Sequence, residues 1–304
     1  MDGKQLTRAM LDALDEETAS KLFNTDDRIL YDYLDAAAEE FVRETKCLHA
    51  TATITTVADQ QAYDLPPDFL GLYMKNPRDR FFGKYYDGSC TTFPALCPYE
   101  QIFRENLTDA LSIPGRFAII DKAAAPTQLS GTTSAAGARA AGQATLTDSA
   151  ALFETTGAVF PRDRVHNTTD GSSGIVLSVS SETALITALF DGKTNGYAKG
   201  DAYVITRATP KQVYLVAKSK TSGHTLTIPY LCKPDPVYSD YGTWRFDPVS
   251  CRAICHEAAF QYANRKGEYS SADRHHALFN LEVTRAKNER AGLVIQGGRY
   301  RTLS

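Results

Sequence analysis

Residues Thr51–Leu72, TATITTVADQQAYDLPPDFLGL, decide how the rest of the chain must be arranged. Thr51, Thr53, Ile54, Thr55, Thr56 and Val57 are β-branched and predict a strand. Ala58-Asp59-Gln60-Gln61 is a polar turn. Pro66 and Pro67 forbid helix and hold Leu65 extended. Phe69, Leu70 and Leu72 then resume an apolar run. The stretch is strand, turn, proline kink, strand. It carries no prominent catalytic group and acts as framing.

Helices precede it. Leu6, Met10, Leu11 and Leu14 share a helical spacing over residues 3–15. Thr25 is an N-cap candidate, with Asp26 and Asp27 in the first turn. The helix it opens runs to about Lys46. Leu30, Tyr33, Leu34, Ala37, Phe41 and Val42 form its apolar stripe, and Asp32, Asp35, Glu39 and Arg43 fall on the other face.

Downstream the text turns strand-like. Phe81–Tyr86 is a strand and turn, Tyr99–Arg104 a helical turn or two, Pro114-Gly115 a turn, and Arg116–Ile120 a buried strand. Small residues dominate 129–145 and predict a flexible linker. It leads into short strands around Val165, Ile175–Val179, Thr183–Leu189 and Gly200–Ile205, separated by Asp-Gly and Asn-Gly turns. A hairpin follows over 213–231. Asp247-Pro248 opens a helix to Lys266, and Ser270 with Asp273 has capping spacing for a second helix to Ala291. The expected fold class is α+β: a helical bundle with a small antiparallel sheet, carrying an inserted all-β sandwich or barrel. The host is 1–128 and 209–291, the inserted module 129–208, and 292–304 an extended tail.

Composition narrows the function. The chain has 304 residues, 43% hydrophobic, with net charge −3. No run approaches the roughly 18 apolar residues of a membrane span, and the polar start MDGKQLTRAML has no signal-peptide pattern. Residues 1–47 carry twelve acids against six bases, whereas 285–304 carry five bases against one acid. Opposite ends of this kind attract, within or between chains. Six cysteines without CxxC indicate free thiols in a reducing compartment.

Catalytic constellations are missing. There is no G-x-S-x-G, P-loop or dinucleotide fingerprint. Cys251-x3-Cys255-His256 is the most metal-like cluster, but on a helix His256 points away from the two thiols. His275-His276 diverge for the same reason. Asp163, Asp170, Asp191 and Asp201 fit turn chemistry better than calcium ligation. No enzyme activity, cofactor or metal is expected. Fourteen of the sixteen tyrosines lie outside the helix of 26–46, which favours intersubunit contacts.

The order of these features carries a resemblance. An acidic amphipathic helix, a strand, Tyr63-Asp64-Leu65-Pro66-x-Asp68-Phe69, Pro114-Gly115-Arg116-Phe117, a hairpin ending Pro234-x-Pro236, a long C-terminal helix and a basic tail together resemble the head-to-tail adaptor (connector) proteins of tailed bacteriophages. Asn167–Gly174 and Gly200–Ile205 resemble a β module of phage structural proteins. The resemblance implies a homo-oligomeric ring, usually dodecameric, beneath the portal in the virion neck, made in the host cytoplasm. Its partners would be the portal protein, a tail nozzle or tube protein, a fibre protein through the module, and passing genomic DNA without sequence specificity; no membrane is involved. The pI near 6.1 suits a channel that tolerates rather than grips that DNA. Leu293, Val294, Ile295, Arg299, Tyr300 and Arg301 would bind the portal. Tyr33, Asp35, Glu39, Arg43, Arg274 and Arg285 would lie between subunits. Asn167, Asp170, Asp191, Asn195 and Tyr197 would form the outer loops of the module. The alternative is a ligand- or carbohydrate-binding module on a helical host in a phage tail protein, with Tyr197 as stacking platform.

Overall fold

The computed structural model describes residues 1–14, 28–73, 83–98, 100, 115–122, 127–155, 157–207, 211–240, 242–244, 246–290, 293–296 and 299–302. Thr25, Asp26, Asp27, Phe81, Phe82, most of Tyr99–Arg104, Pro114 and Gly297-Gly298 lie outside these residues. In chain order the elements are α1 (Gly3–Ala13), α2 (Arg28–Thr45), β1 (His49–Thr55), β2 (Ala62–Asp64), β3 (Phe69–Leu72), β4 (Lys84–Tyr86), β5 (Thr91–Thr92), β6 (Ala95–Leu96), β7 (Arg116–Asp121), β8 (Gln128–Thr132), β9 (Ala144–Thr147), β10 (Arg164–Asn167), β11 (Ser173–Ser181), β12 (Ala184–Phe190), β13 (Ala202–Thr206), β14 (Lys211–Leu215), β15 (Thr225–Cys232), α3 (Pro248–Lys266), α4 (Tyr269–Arg290), β16 (Leu293–Gln296) and β17 (Arg299–Thr302). The fold is mixed α+β, with four helices among the described residues and several antiparallel sheets.

The chain divides into two units: Met1–Thr45, Thr127–Arg207 and Pro234–Ser304 form one, and Lys46–Pro126 with Ala208–Lys233 the other. The sequence groups the helices with the strands of 46–128; in the structure the helices share a unit with the β segment 127–207.

In the first unit each helix has a local reason to begin. Asp2 caps α1 by accepting from the Gln5 N–H at 2.8 Å, while Gln5 Oε1 accepts from the Asp2 N–H at 3.0 Å. Gly3 is required, because a Cβ there would lie 2.0 Å from the Ser239 carbonyl oxygen. Asp247 caps α3 ahead of Pro248, as the sequence predicts. Gly267 (φ 83°) ends α3 in the left-handed conformation, and the Glu268 N–H donates back to the Ala263 carbonyl at 3.0 Å. The chain then enters α4 directly: the Ala272 N–H donates to the Glu268 carbonyl, so Ser270 sits inside the first turn and not at the cap. Helix α2 buries Leu30, Tyr31, Leu34, Ala37, Ala38, Phe41, Val42 and Thr45. Phe41 meets Phe246 and Phe279 edge-on at 5.7 and 6.5 Å. Each large side chain buried there contributes about 1.5–3 kcal/mol.

The β segment is one six-stranded antiparallel sheet, ordered β8-β13-β10-β11-β12-β9, over a core that includes Leu146, Phe153, Val165, Val176, Leu185 and Tyr203. The linker expected over 129–145 is a part of this sheet: β8 pairs with β13 and β9 with β12. Its small residues serve close approach, since a Cβ on Gly137 would lie 1.9 Å from the Thr145 carbonyl oxygen. The tail is not a single extended strand. Strands β16 and β17 pair antiparallel, with Leu293 opposite Thr302 and Ile295 opposite Tyr300.

In the second unit the Thr51–Leu72 stretch folds as strand, turn, kink and strand, with Asp59 (φ 61°) in the turn. It also changes sheets. Strands β1 and β3 pair with β15, whereas β2 pairs with β14. One sheet is ordered β1-β15-β4-β5 with β3 also on β15; the other is β2-β14-β7-β6, in which β6 and β7 run parallel. Tyr63, Leu65, Tyr85, Phe117, Val213, Leu226 and Ile228 share one core.

Candidate assembly surfaces

Two acids of α2, Asp35 and Glu39, are engaged within the chain. Arg162 follows Pro161 at a left-handed φ of 78°, and its backbone N–H donates to the Val176 carbonyl at 2.8 Å. That conformation is costly for a residue with a Cβ. It aims the guanidinium at α2. Nη2 donates to Asp35 Oδ1 at 2.6 Å and to the Pro234 carbonyl at 2.7 Å; Nη1 donates to Asp35 Oδ2 and approaches Glu39 Oε1 at 3.5 Å. The Arg162 and Asp35 side chains are only 16% and 15% exposed, so this is a buried, two-point ion pair. Burial works to lower the Arg162 pKa, but Asp35 and then Glu39 outweigh it and raise it.

A second set of contacts continues along the same helix. Tyr238 Oη donates to Asp32 Oδ1 at 2.7 Å, and its ring packs on Tyr31 at 5.7 Å and Phe190 at 6.4 Å. Burial, then Asp35 and Asp32, push the Tyr238 hydroxyl well above its ordinary value. Arg139 lies over the Phe190 ring at 5.6 Å, and Arg28 pairs with Asp191 at 3.1 Å. Sequence reasoning named Asp35, Glu39 and Asp191 but missed Arg162, Arg28 and Tyr238. The one local signal was Pro161-Arg162, which ends the apolar run Ala158-Val159-Phe160.

Among the other residues expected between subunits, Tyr33 is half-buried and accepts from Arg265 at 3.3 Å. Arg43, Arg274 and Arg285 are exposed, and Arg285 pairs with Glu282 at 2.6 Å. Lys287 reaches Glu44 of α2 at 2.6 Å, joining the basic C-terminal part to the acidic N-terminal part within the chain.

The expected outer loops of the module divide. Asn167 is fully buried and not an outer contact: its Nδ2 donates to the Gly196 carbonyl (2.9 Å) and to Asp201 (2.8 Å), and its Oδ1 accepts from the Thr169 and Asp170 N–H groups. Tyr197 is 4% exposed, with its hydroxyl 3.2 Å from Thr187 Oγ1. No sugar ring can stack on it there. Asp170 accepts from Thr194 and Asn195, and Asn195 accepts from the Gly192 N–H. Slight burial opposes it, but bonds from Thr194, Ser172 and Asn195 hold the Asp170 carboxyl below its usual range. Asp163 likewise accepts from the Phe160 N–H at 2.9 Å.

Cys251 and Cys255 are core donors, with Sγ 3.8 Å from the Phe246 carbonyl and 3.7 Å from the Leu6 carbonyl. Burial, then Cys251, pushes the Cys255 thiol up to about 12. Among the described residues no group of three His, Cys, Asp or Glu could hold a metal. No helix among them is long and apolar enough to cross a membrane. In the second unit a shallow recess of about 440 Å³ is lined in part by Thr53, Asp64 and Lys122, and Asp64 is engaged there by Lys122 at 3.0 Å and Gln212 at 2.6 Å.

A family model for the SU10 adaptor protein matches residues 1–91. The adaptor match therefore takes in α1, α2 and β1–β4, including Asp32, Asp35 and Glu39, and stops well short of Arg162. It points to a structural adaptor role. Among curated proteins none matches the chain.

Proposed function

We propose that this chain is a head-to-tail adaptor of a tailed phage, forming a ring, of twelve copies by analogy with such adaptors, beneath the portal in the virion neck. The observation that carries the reading is the adaptor match over residues 1–91. The ring joins capsid to tail and lets genomic DNA pass without sequence contacts. It is a structural protein, not an enzyme. Copies meet through the exposed faces of α2 and α4 that carry Arg43, Arg274 and Arg285. The β16–β17 hairpin docks on the portal by strand addition, with Arg299 and Arg301 seeking its carboxylates. Repetition around the ring multiplies each weak joint. The β segment faces a tail nozzle, tube or fibre protein.

The carbohydrate-binding alternative loses its platform with the burial of Tyr197. The test is native mass spectrometry of the full chain, alone and with portal rings of the same virus. A stoichiometric ring on the portal is expected, and deleting 292–304 should abolish it. A chain that ignores the portal sinks the proposal.

A further inference from the structure

His256 on α3 and His275 on α4 face each other across the helical hairpin. Their Nδ1 atoms are 3.3 Å apart and their ring centres 5.5 Å apart, with ring planes only 24° from parallel. The difference between the two distances is close to the two centre-to-nitrogen radii, so both nitrogens lie near the line joining the rings. That is the geometry of a direct N–H···N hydrogen bond. It requires one ring to carry its proton on Nδ1 and the other to offer a lone pair there. A proton added to the donor ring goes to Nε2 and leaves the bond intact. A second proton, taken by the acceptor ring, puts two N–H groups head to head and two like charges against each other.

We infer that His256 and His275 form a pair that tolerates one positive charge and not two, which makes the α3–α4 hairpin acid-labile. His275 is 3% exposed, so the second charge cannot be relieved by water without parting the helices. The surrounding groups are Arg252 and Glu257 on α3, Arg274, His276 and Glu282 on α4, and Glu40 on α2, which faces Glu257. Burial first, then His275, hold the His256 pKa below its ordinary value; Glu282 pulls the other way, while Arg252 and Arg274 add to the depression. With a depressed folded value, the unfolded chain takes up the proton first. The stability is present above about pH 6.5 and is lost as pH falls through the folded value. Glu257, 3.7 Å from His276, has the opposite sign: burial raises its pKa, so acid relieves its charge. His256→Gln leaves the Glu257 contribution in place and removes only the pair.

Amide hydrogen exchange of the full chain, corrected for intrinsic rates, tests this near neutral pH and at about pH 5, on either side of the ordinary histidine value. Opening of α3 and α4 should rise several-fold more in the wild type than in His256→Gln. Equal acid responses in wild type and His256→Gln overturn the inference. Should His256→Gln not fold, ring-nitrogen NMR of the wild type decides: staggered proton uptake by the two rings supports the pair, and two independent uptakes at the ordinary value overturn it.

Discussion

Arg162 and Asp35 stand 127 positions apart in the chain, yet both terminal guanidinium nitrogens of the one meet both carboxylate oxygens of the other. The contact ties the β segment to α2 inside a single unit. It takes Asp35 and Glu39 out of the solvated acidic face that periodicity alone suggests.

Removing one partner should therefore be far worse than removing both. Arg162→Met should cost about 3 kcal/mol, because it takes the guanidinium away from a buried carboxylate. The triple variant with Asp35→Asn and Glu39→Gln should recover most of it. Urea unfolding midpoints at constant slope check this, and a single-variant loss under about 0.5 kcal/mol would show that the pair is only a surface contact.

Asn167→Ala should destabilise the β segment by about 2–3 kcal/mol, because it orphans the Gly196 carbonyl and strips Asp201 of a buried donor. Thermal unfolding reads the loss. A neutral outcome would mean that the loop is held by its backbone bonds alone.

At the start of α3, Asp247→Ala should cost about 1 kcal/mol at neutral pH and Asp247→Asn much less. Burial works against it, but bonds from Ser250 and Val249 hold the Asp247 carboxyl below its usual range. A depressed value gives stability that is present above the ordinary carboxylate pKa and fades as pH falls through the folded one. The wild type and Asp247→Ala should then converge in strong acid; a gap that is constant with pH would contradict the cap.

The six thiols should label in two classes. Cys90 is exposed and Cys47 and Cys232 are half-buried, whereas Cys97, Cys251 and Cys255 are buried. Brief alkylation of the native chain followed by peptide mass spectrometry should modify Cys90 first, and Cys255 only after unfolding, since its thiolate is suppressed. Early labelling of Cys255 would show that α1 does not stay on α3.

Local chemistry made much of this fold legible. Pro66-Pro67 marked the kink between β2 and β3, and Asp247-Pro248 marked the start of α3, because both act through φ and a single capping bond. Ser270 misled because the left-handed turn at Gly267 already supplies the helix boundary. The run 129–145 misled because small residues serve a flexible chain and a close strand crossing equally well. Of the proposed contact residues, Asp35 and Glu39 meet Arg162 more than 100 positions away and the Asn167 amide nitrogen meets Gly196 and Asp201, and no short window of sequence contains both ends of such a contact. Burial of Tyr197 was hidden for the same reason: an aromatic beside Asn195-Gly196 looks like a loop tip until β12 supplies Thr187.

The sheet change within Thr51–Leu72 sets an order of events at the ribosome. Thr53 pairs with Thr227, and Tyr63 with Val213. Strands β1, β2 and β3 are thus made early and must wait, unpaired, while the whole of 127–207 is synthesised between them and their partners. That intervening sheet draws all six of its strands from its own residues and can close first. A nascent chain stalled before Lys211 would hold a finished β segment and a run of open strand edges upstream, the state in which a chaperone has most to protect.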